Sequence, residues 1–430
     1  MIDIGPLHNV ESITLHEKVD VPSAHLINAL CKYVPELDDV EGLDKYISQA
    51  RDTGAVSVRY TNESSGIGRL NWSVLDKNGE EITCHCQVGL KGCVKAAICS
   101  KNLRDMDIDN AHPVLLAQIF NQCELPCPVL KRYITERPRL IEESGLSKDE
   151  FKKCAFQIFY YPTRKGDTLT DPIFTELQKE ISDGTEALLK RYPSYLERAR
   201  QVKGRDYYNL NGTALAYLAQ TAEKRCLLAL YDFWQSHKVH VSALIHDGLH
   251  VDRDAATDEM LPLAATHIYE QTGFKVSLSY KDWRLLPEFK NAAVVSDTVS
   301  AADFVHTQIA GRLVRCNDRV FFRDDTHKWQ SDQNAARRYV TRAVSGLHIF
   351  NSRYQSLSRN YTDMTQISKV VFDTAPDDPQ FLILGSLGGL IGSLILDGVS
   401  LDNLWAWLAP VANHGVWVRL VPKGTTTCGC

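Results

Sequence analysis

Residues 103–123, LRDMDIDNAHPVLLAQIFNQC, decide how this chain of 430 residues is read. Within the first seven, acidic Asp105, Asp107 and Asp109 alternate with apolar Met106 and Ile108, the period of a strand with one face covered and the other wet. At Asn110 the pattern becomes that of an apolar helix, with Pro113 in its first turn, where a missing N–H is tolerated. Asp105, Asp107 and Asp109 therefore share one strand face, and spacing along the strand does not choose among them. An acidic strand face is most often a solvated one, so the segment gains meaning from what accompanies it.

Two further segments do so. Residues 238–252, KVHVSALIHDGLHVD, read as a strand hairpin turning at His246, Asp247 and Gly248, residue types that suit a turn. Residues 147–161, SKDEFKKCAFQIFYY, open with a capping box, Ser147 and Glu150, and run on as an amphipathic helix. Lys148 and Lys152 stand four apart on one face of that helix, and Tyr160 lies two turns beyond, near the same face. Singly, each has a structural reading as a turn or a solvated face. Together they supply what transfer of a nucleotide from its triphosphate requires, which is positioning and charge neutralisation rather than covalent help. Carboxylates can bridge two divalent ions, and a basic helix face can hold the triphosphate from the other side.

The remainder reads as mixed. Residues 1–50 have helical spacing, and residues 54–89 read as strands, with a hairpin turn at Asn78 and Gly79. Helices are expected over 172–204, a stretch basic in places, over 211–237 and over 256–272, followed by the strand FKVSLSY. Residues 298–345 alternate helix, short hairpin and helix. The fold class is α+β. Apolar residues are 44% and charged residues 23% of the chain, as in soluble globular proteins, and a net charge of −5 argues against coating nucleic acid by bulk electrostatics while leaving room for a local basic cleft. The 12 cysteines read as reduced thiols, and the N-terminus lacks a secretory pattern, so an intracellular, soluble protein is expected. Cys84, Cys86, Cys93 and Cys99 lie close together, but the tight Cys84–Cys86 spacing suits core thiols better than zinc. Residues 381–396, FLILGSLGGLIGSLIL, are uncharged yet shorter than a membrane-spanning helix needs; they read as a buried segment or as a poorly folded tail, and no membrane partner is expected.

The segment from Asp107 to Pro113 resembles motif A of the transposon/virus polymerase family, a distant relative of family A DNA polymerases and phage single-subunit RNA polymerases. Lys148, Lys152 and Tyr160 stand in the register of its motif B, and the apolar strand ending in His246 and Asp247 is similar to its motif C. Gly68, Arg69 and Leu70, with Gln87 to Leu90, resemble its lead-in, and residues 256–283 resemble the helix, strand and Trp that follow motif C. The likeness spans residues 55–285, in the order A, B, C. Two places depart from it: Tyr161 stands where a Gly is usual, and Lys95, Ala96 and Ala97 replace a basic turn.

The resemblance implies a right-hand polymerase palm of antiparallel sheet with helical fingers. It implies Asp107 and Asp247 as metal ligands for two Mg2+ ions, or Mn2+ in their place, and it selects Asp107 by its distance to Asn110. Lys152 would hold the triphosphate, assisted by Lys148; Tyr160 would sit by the nascent pair; His112, beside Asn110, would sense the sugar; Glu223 is a further candidate for a template or primer contact. DNA primer-template and deoxynucleoside triphosphates would be the partners. Residues 300–329 resemble the small domain ahead of the ATPase in poxvirus-type primase-helicases, which implies a replicative helicase as partner, although no G-x-x-x-x-G-K-[ST] loop occurs in the sequence. The expected organisation is an N-terminal helical lead-in (1–53), polymerase palm and fingers (54–290), a small primase-helicase-associated-like domain (291–371) and an apolar tail of unknown role (372–430), whose end reads as a truncation or a shifted reading frame. The departures motivate an alternative, a catalytically inactive nucleic-acid-binding remnant of such a polymerase.

Overall fold

The structure, a computed structural model, describes residues 2–377 except 9, 32, 35–42, 52–53, 161–171, 317–318, 324–328, 331 and 354. Tyr161 and the apolar run 381–396 lie outside the described residues. The chain forms two units, Met1–Lys290 and Asn291–Cys430, each mixing helices with small sheets.

The first unit holds two four-stranded antiparallel sheets. One is a meander of β1 (Ile13–Lys18), β2 (Ala55–Thr61), β3 (Asn71–Leu75) and β4 (Glu81–Ile82). In β2, Val56, Val58 and Tyr60 point inward at every second position. The turn after β3 is made by the Asp76 carboxylate, which accepts from the backbone N–H of Asn78 and Glu80 at 2.8 and 2.9 Å. Gly79 supplies a φ of +83° there.

Two segments of this unit differ from their sequence pattern. Residues 13–18 are not helical: Leu15 and Glu17 turn inward with strand period, and the helical spacing starts at Val21–Leu30. Residues 83–90 are not strand either. The Gln87 backbone N–H is taken by the Glu17 carboxylate, at 2.9–3.0 Å, so it cannot join a ladder. Cys86 turns the chain by accepting from Gly89 and Leu90, and a helix follows at Gly92–Cys99.

The second sheet has the order β6-β7-β5-β8, with β5 (Leu103–Ile108), β6 (Val241–Ile245), β7 (Gly248–Asp252) and β8 (Leu278–Lys281). β5 lies between β7 and β8, pairing Asp107 with Gly248 on one side and Ser279 on the other. Asn110, at φ 50° and ψ 43°, then turns the strand abruptly into the helix Ala111–Gln122. That left-handed conformation suits Asn better than most side chains.

Helices pack around this sheet. The helix Lys148–Tyr160 begins with the expected capping box: Ser147 N–H donates to Glu150 Oε2 at 2.9 Å and Glu150 N–H to Ser147 Oγ at 3.3 Å. The 27-residue helix Leu210–Ser236 starts at Asn209, whose side chain accepts from the Gly212 N–H, and it buries Glu223 and Lys224 among alanines and leucines. Lys224 satisfies its ammonium on Asn62 Oδ1 at 2.5 Å and the Gly66 carbonyl at 3.2 Å.

The second unit packs the helices Thr298–Gln308, Gln333–Ser345 and Tyr361–Asp373 about Val305, Val320, Val340, Ile349 and Val371. Its strands are the parallel pair β9 (Ala292–Val294) and β13 (His348–Phe350), and the antiparallel β10 (Leu313–Cys316), β11 (Arg319–Arg323) and β12 (Trp329–Gln330). No helix among the described residues is long and apolar enough to cross a membrane.

Gly248 sets how closely β7 approaches β5, since a Cβ there would overlap the Met106 carbonyl oxygen. Gly248→Ala is expected to lower stability by about 1–3 kcal/mol through overpacking, read as a lowered urea midpoint. Unchanged stability would mean that the strands have slack at this point.

Candidate active site

The hairpin β6–β7 turns at His246 and Asp247, with His246 at φ 44°. The Asp247 carbonyl accepts from the Ile108 N–H at 3.0 Å, which fixes the turn beside the end of β5. Asp107 is 8% exposed, and burial together with the neighbouring Asp247 charge pushes its carboxyl up to about 7. The two carboxylates are near enough for a proton between them. Lys281, reaching across from β8, bonds to Asp107 and opposes that rise. Burial alone would lower the Lys281 ammonium, but the Asp107 bond and the charges of Asp107, Asp247 and Asp105 raise it overall.

The three carboxylates left open by strand period are separated by their surroundings. Asp109 is exposed and accepts from Ser279 Oγ at 2.6 Å. Asp105 faces His250 Nε2 at 3.7 Å, and its carboxyl is raised, chiefly by burial. Of the three, Asp107 comes within hydrogen-bonding reach of Asp247, while Asp105 feels it only as a charge.

Behind Asp105 lies a buried polar chain. Gln87 Nε2 donates to the Lys18 carbonyl and to Ser242 Oγ, so its Oε1 faces His250 and accepts from Nδ1–H at 2.6 Å. Burial holds His250 neutral, down to about 3, and its ring packs edge-on against Trp283 at 5.0 Å. Glu17, fully buried and pushed up to about 8 by that burial, accepts from the Gln87 N–H and the Tyr46 hydroxyl.

A second buried chain joins the helices. The Tyr160 hydroxyl lies 2.5 Å from His112 Nδ1, and His112 Nε2 lies 2.6 Å from Glu223 Oε2. Arg69 grips the same carboxylate with two N–H groups, at 2.8 and 3.1 Å. Burial works to raise Glu223, but His112 and Arg69 together hold it below the usual carboxylate range. Beside this chain a cavity of about 200 Å3 opens, lined among others by Tyr60, Arg69, Trp72, Glu223 and His246.

The structure thus gathers Tyr160, His112 and Glu223 into one network and sets Asp107 against Asp247. Lys148 and Lys152 remain exposed. Lys152 lies over the Phe156 ring at 5.8 Å, and that ring stands 6.4 Å from His112, so the Lys152–Phe156–Tyr160 face turns toward the start of the helix Ala111–Gln122. Sequence reading assigned no role to Lys281, Arg69, Gln87 or His250. Arg69 and Gln87 stood in quoted motifs, but nothing local marks which buried acid each would meet.

No protein-family model matches the chain. In sequence it is similar to the putative helicase V13 of Sputnik virophage, 22% identical over 352 residues, which are 75% of this chain and 45% of the relative. The chain therefore spans less than half the length of that relative. Among solved structures it is similar to the POL domain of Pol1 from M. smegmatis in complex with DNA primer-template and dNTP, with a TM-score of 0.31 and 13% identity over 60% of this chain and 55% of that one.

Asp107 carries a pH consequence. Its carboxyl sits at about 7 in the fold against an ordinary 3.8. Between those values the folded chain keeps a proton that the unfolded chain has released, so stability falls as pH rises through that window. Urea denaturation in EDTA across the window is expected to show Asp107→Asn losing less stability than the wild type as pH rises, with the slope common to both coming from Glu17 and His250. A slope unchanged in the variant would place its origin elsewhere.

Proposed function

We propose that this chain is a template-directed DNA polymerase of a virus or mobile element, transferring nucleotides by a two-metal mechanism. The observation that carries the reading is the juxtaposition of Asp107 and Asp247, on neighbouring strand ends and mutually repelling under partial burial. Such a pair is a donor set suited to divalent cations. Among the described residues no group of three His, Cys, Asp or Glu forms a metal cage. Mg2+, or Mn2+ in its place, takes one or two carboxylates and completes its shell with substrate phosphates and water. When bound, the two ions would neutralise developing charge and activate the primer hydroxyl.

The other roles belong to the chain's own side chains. Lys152, with Lys148, holds the triphosphate from the exposed helix face. Tyr160 and His112, tied to Glu223 and Arg69, form a rigid wall beside the incoming nucleotide, with Asn110 setting the turn that brings His112 there. In this reading the sheet β6-β7-β5-β8 is the palm, the helices around Lys148–Tyr160 are fingers, and residues 291–371 are a primase-helicase-associated-like domain serving a replicative helicase. The relative's name, a putative helicase, is compatible with such a setting.

A second reading, an inactive nucleic-acid-binding remnant, draws support from Lys281. Its ammonium already bonds the Asp107 carboxylate, so a side-chain cation takes the part that a divalent ion would play.

Primer extension with Mg2+ or Mn2+ tests both. Asp107→Asn and Asp247→Asn should each lower incorporation by about a thousandfold, the loss of several kcal/mol of transition-state stabilisation. Extension that survives in both variants overturns the assignment. Salt-sensitive binding of primer-template by the wild-type chain without incorporation puts the remnant in its place.

A further inference from the structure

The basic stretch 188–205, LLKRYPSYLERARQVKGR, has no part in the chemistry above. It leads through the helix Pro193–Lys203 into a tip, residues 204–209, ahead of the long helix that starts at Leu210. Gly204, at φ 87°, ends the first helix. Tyr208 is 71% exposed at this tip, its ring 4.7 Å from that of Tyr207. The Lys203 ammonium lies over the Tyr207 ring at 5.8 Å, and Arg205 is exposed between them in sequence. Asp206 is the one acid in the tip.

A single exposed aromatic needs no explanation. This one is held in a particular place. Asn209, next to Tyr208, is buried; its Nδ2 donates to the Tyr160 carbonyl at 2.6 Å while its Oδ1 accepts from Gly212. A Cβ at Gly212 would overlap both the Asn209 side chain and the Tyr160 carbonyl, so a glycine there is what lets the clamp close. The tip is therefore fastened to the end of the helix that carries Lys152 and Tyr160.

We propose that the Gly204–Tyr208 tip is a stacking platform for single-stranded template DNA where it enters the nucleotide site. The exposed Tyr208 ring, against a half-buried Tyr207 that carries the Lys203 ammonium, complements a polyanion whose every base offers a π face, and this combination binds single strands without reading sequence. The location beside the site rests on the polymerase reading; the binding itself does not.

The test is fluorescence anisotropy with the full chain and three DNAs: primer-template with a single-stranded template overhang, the blunt duplex, and an overhang of abasic sites. Tyr208→Ala should weaken the overhang substrate about tenfold and Tyr208→Phe much less, since stacking and not the hydroxyl carries the contact. Arg205→Ala should reduce the salt dependence of overhang binding. Wild type and Tyr208→Ala should bind the blunt and abasic DNAs alike. Equal affinity of wild type and Tyr208→Ala for the overhang overturns the proposal, as does an equal loss on the abasic strand. Extension by a Tyr208→Ala chain whose overhang binding is unchanged would sink the platform and spare the polymerase. Overhang binding that depends on Tyr208, with no extension by the wild type, would sink the polymerase and spare the platform.

Discussion

Two carboxylates held side by side under partial burial repel each other, and the first unit is organised around that constraint. Asp107 cannot withdraw, because β5 is an inner strand paired on both edges. Asp247 cannot withdraw either, because its carbonyl is bonded to Ile108 and Gly248 lets the hairpin lie flush against β5. The relief comes from outside the pair. Strand order β6-β7-β5-β8 puts the acidic turn on one side of β5 and Lys281 on the other. A site built this way favours positive charge, and Lys281 is the side chain that supplies it.

Around the pair, buried polar groups are tied into two chains. Tyr160, His112, Glu223 and Arg69 link two helix ends, the middle of the helix Leu210–Ser236 and the segment ahead of β3. Glu17, Gln87 and His250 link β1 to β7 behind Asp105. Each chain replaces solvation by partners of fixed geometry, so the elements that carry the acids and the basic helix are held in register with one another. The Asn209 clamp extends the first chain to the tyrosine tip, since it grips the backbone of the residue whose hydroxyl meets His112.

Much of the framework was legible because its signals are local. The strand-to-helix change at Asn110, the capping box at Ser147 and Glu150, the hairpin at His246 to Gly248 and the long helix beginning near 210 each follow from side-chain period and from residues fitted to a cap or turn. The misread parts depended on distant partners. Residues 13–18 become strand because β2 is there to pair with them. Residues 83–90 leave the strand pattern because Glu17, some seventy positions away in sequence, captures the Gln87 N–H.

The same division runs through the site. Alone, the sequence determined the residue types and their order: acids on one strand face, a basic helix, an acidic turn after an apolar strand. It did so because period and spacing are properties of one element at a time. Which of Asp105, Asp107 and Asp109 meets Asp247, that Lys281 answers them, and that His112, Tyr160 and Glu223 form one network were decided only by the tertiary structure. The physical reason is that charge and burial act through space. A carboxylate takes its character from the strand beside it and the cation across from it, and these lie up to 174 positions away in the chain, the separation of Asp107 and Lys281.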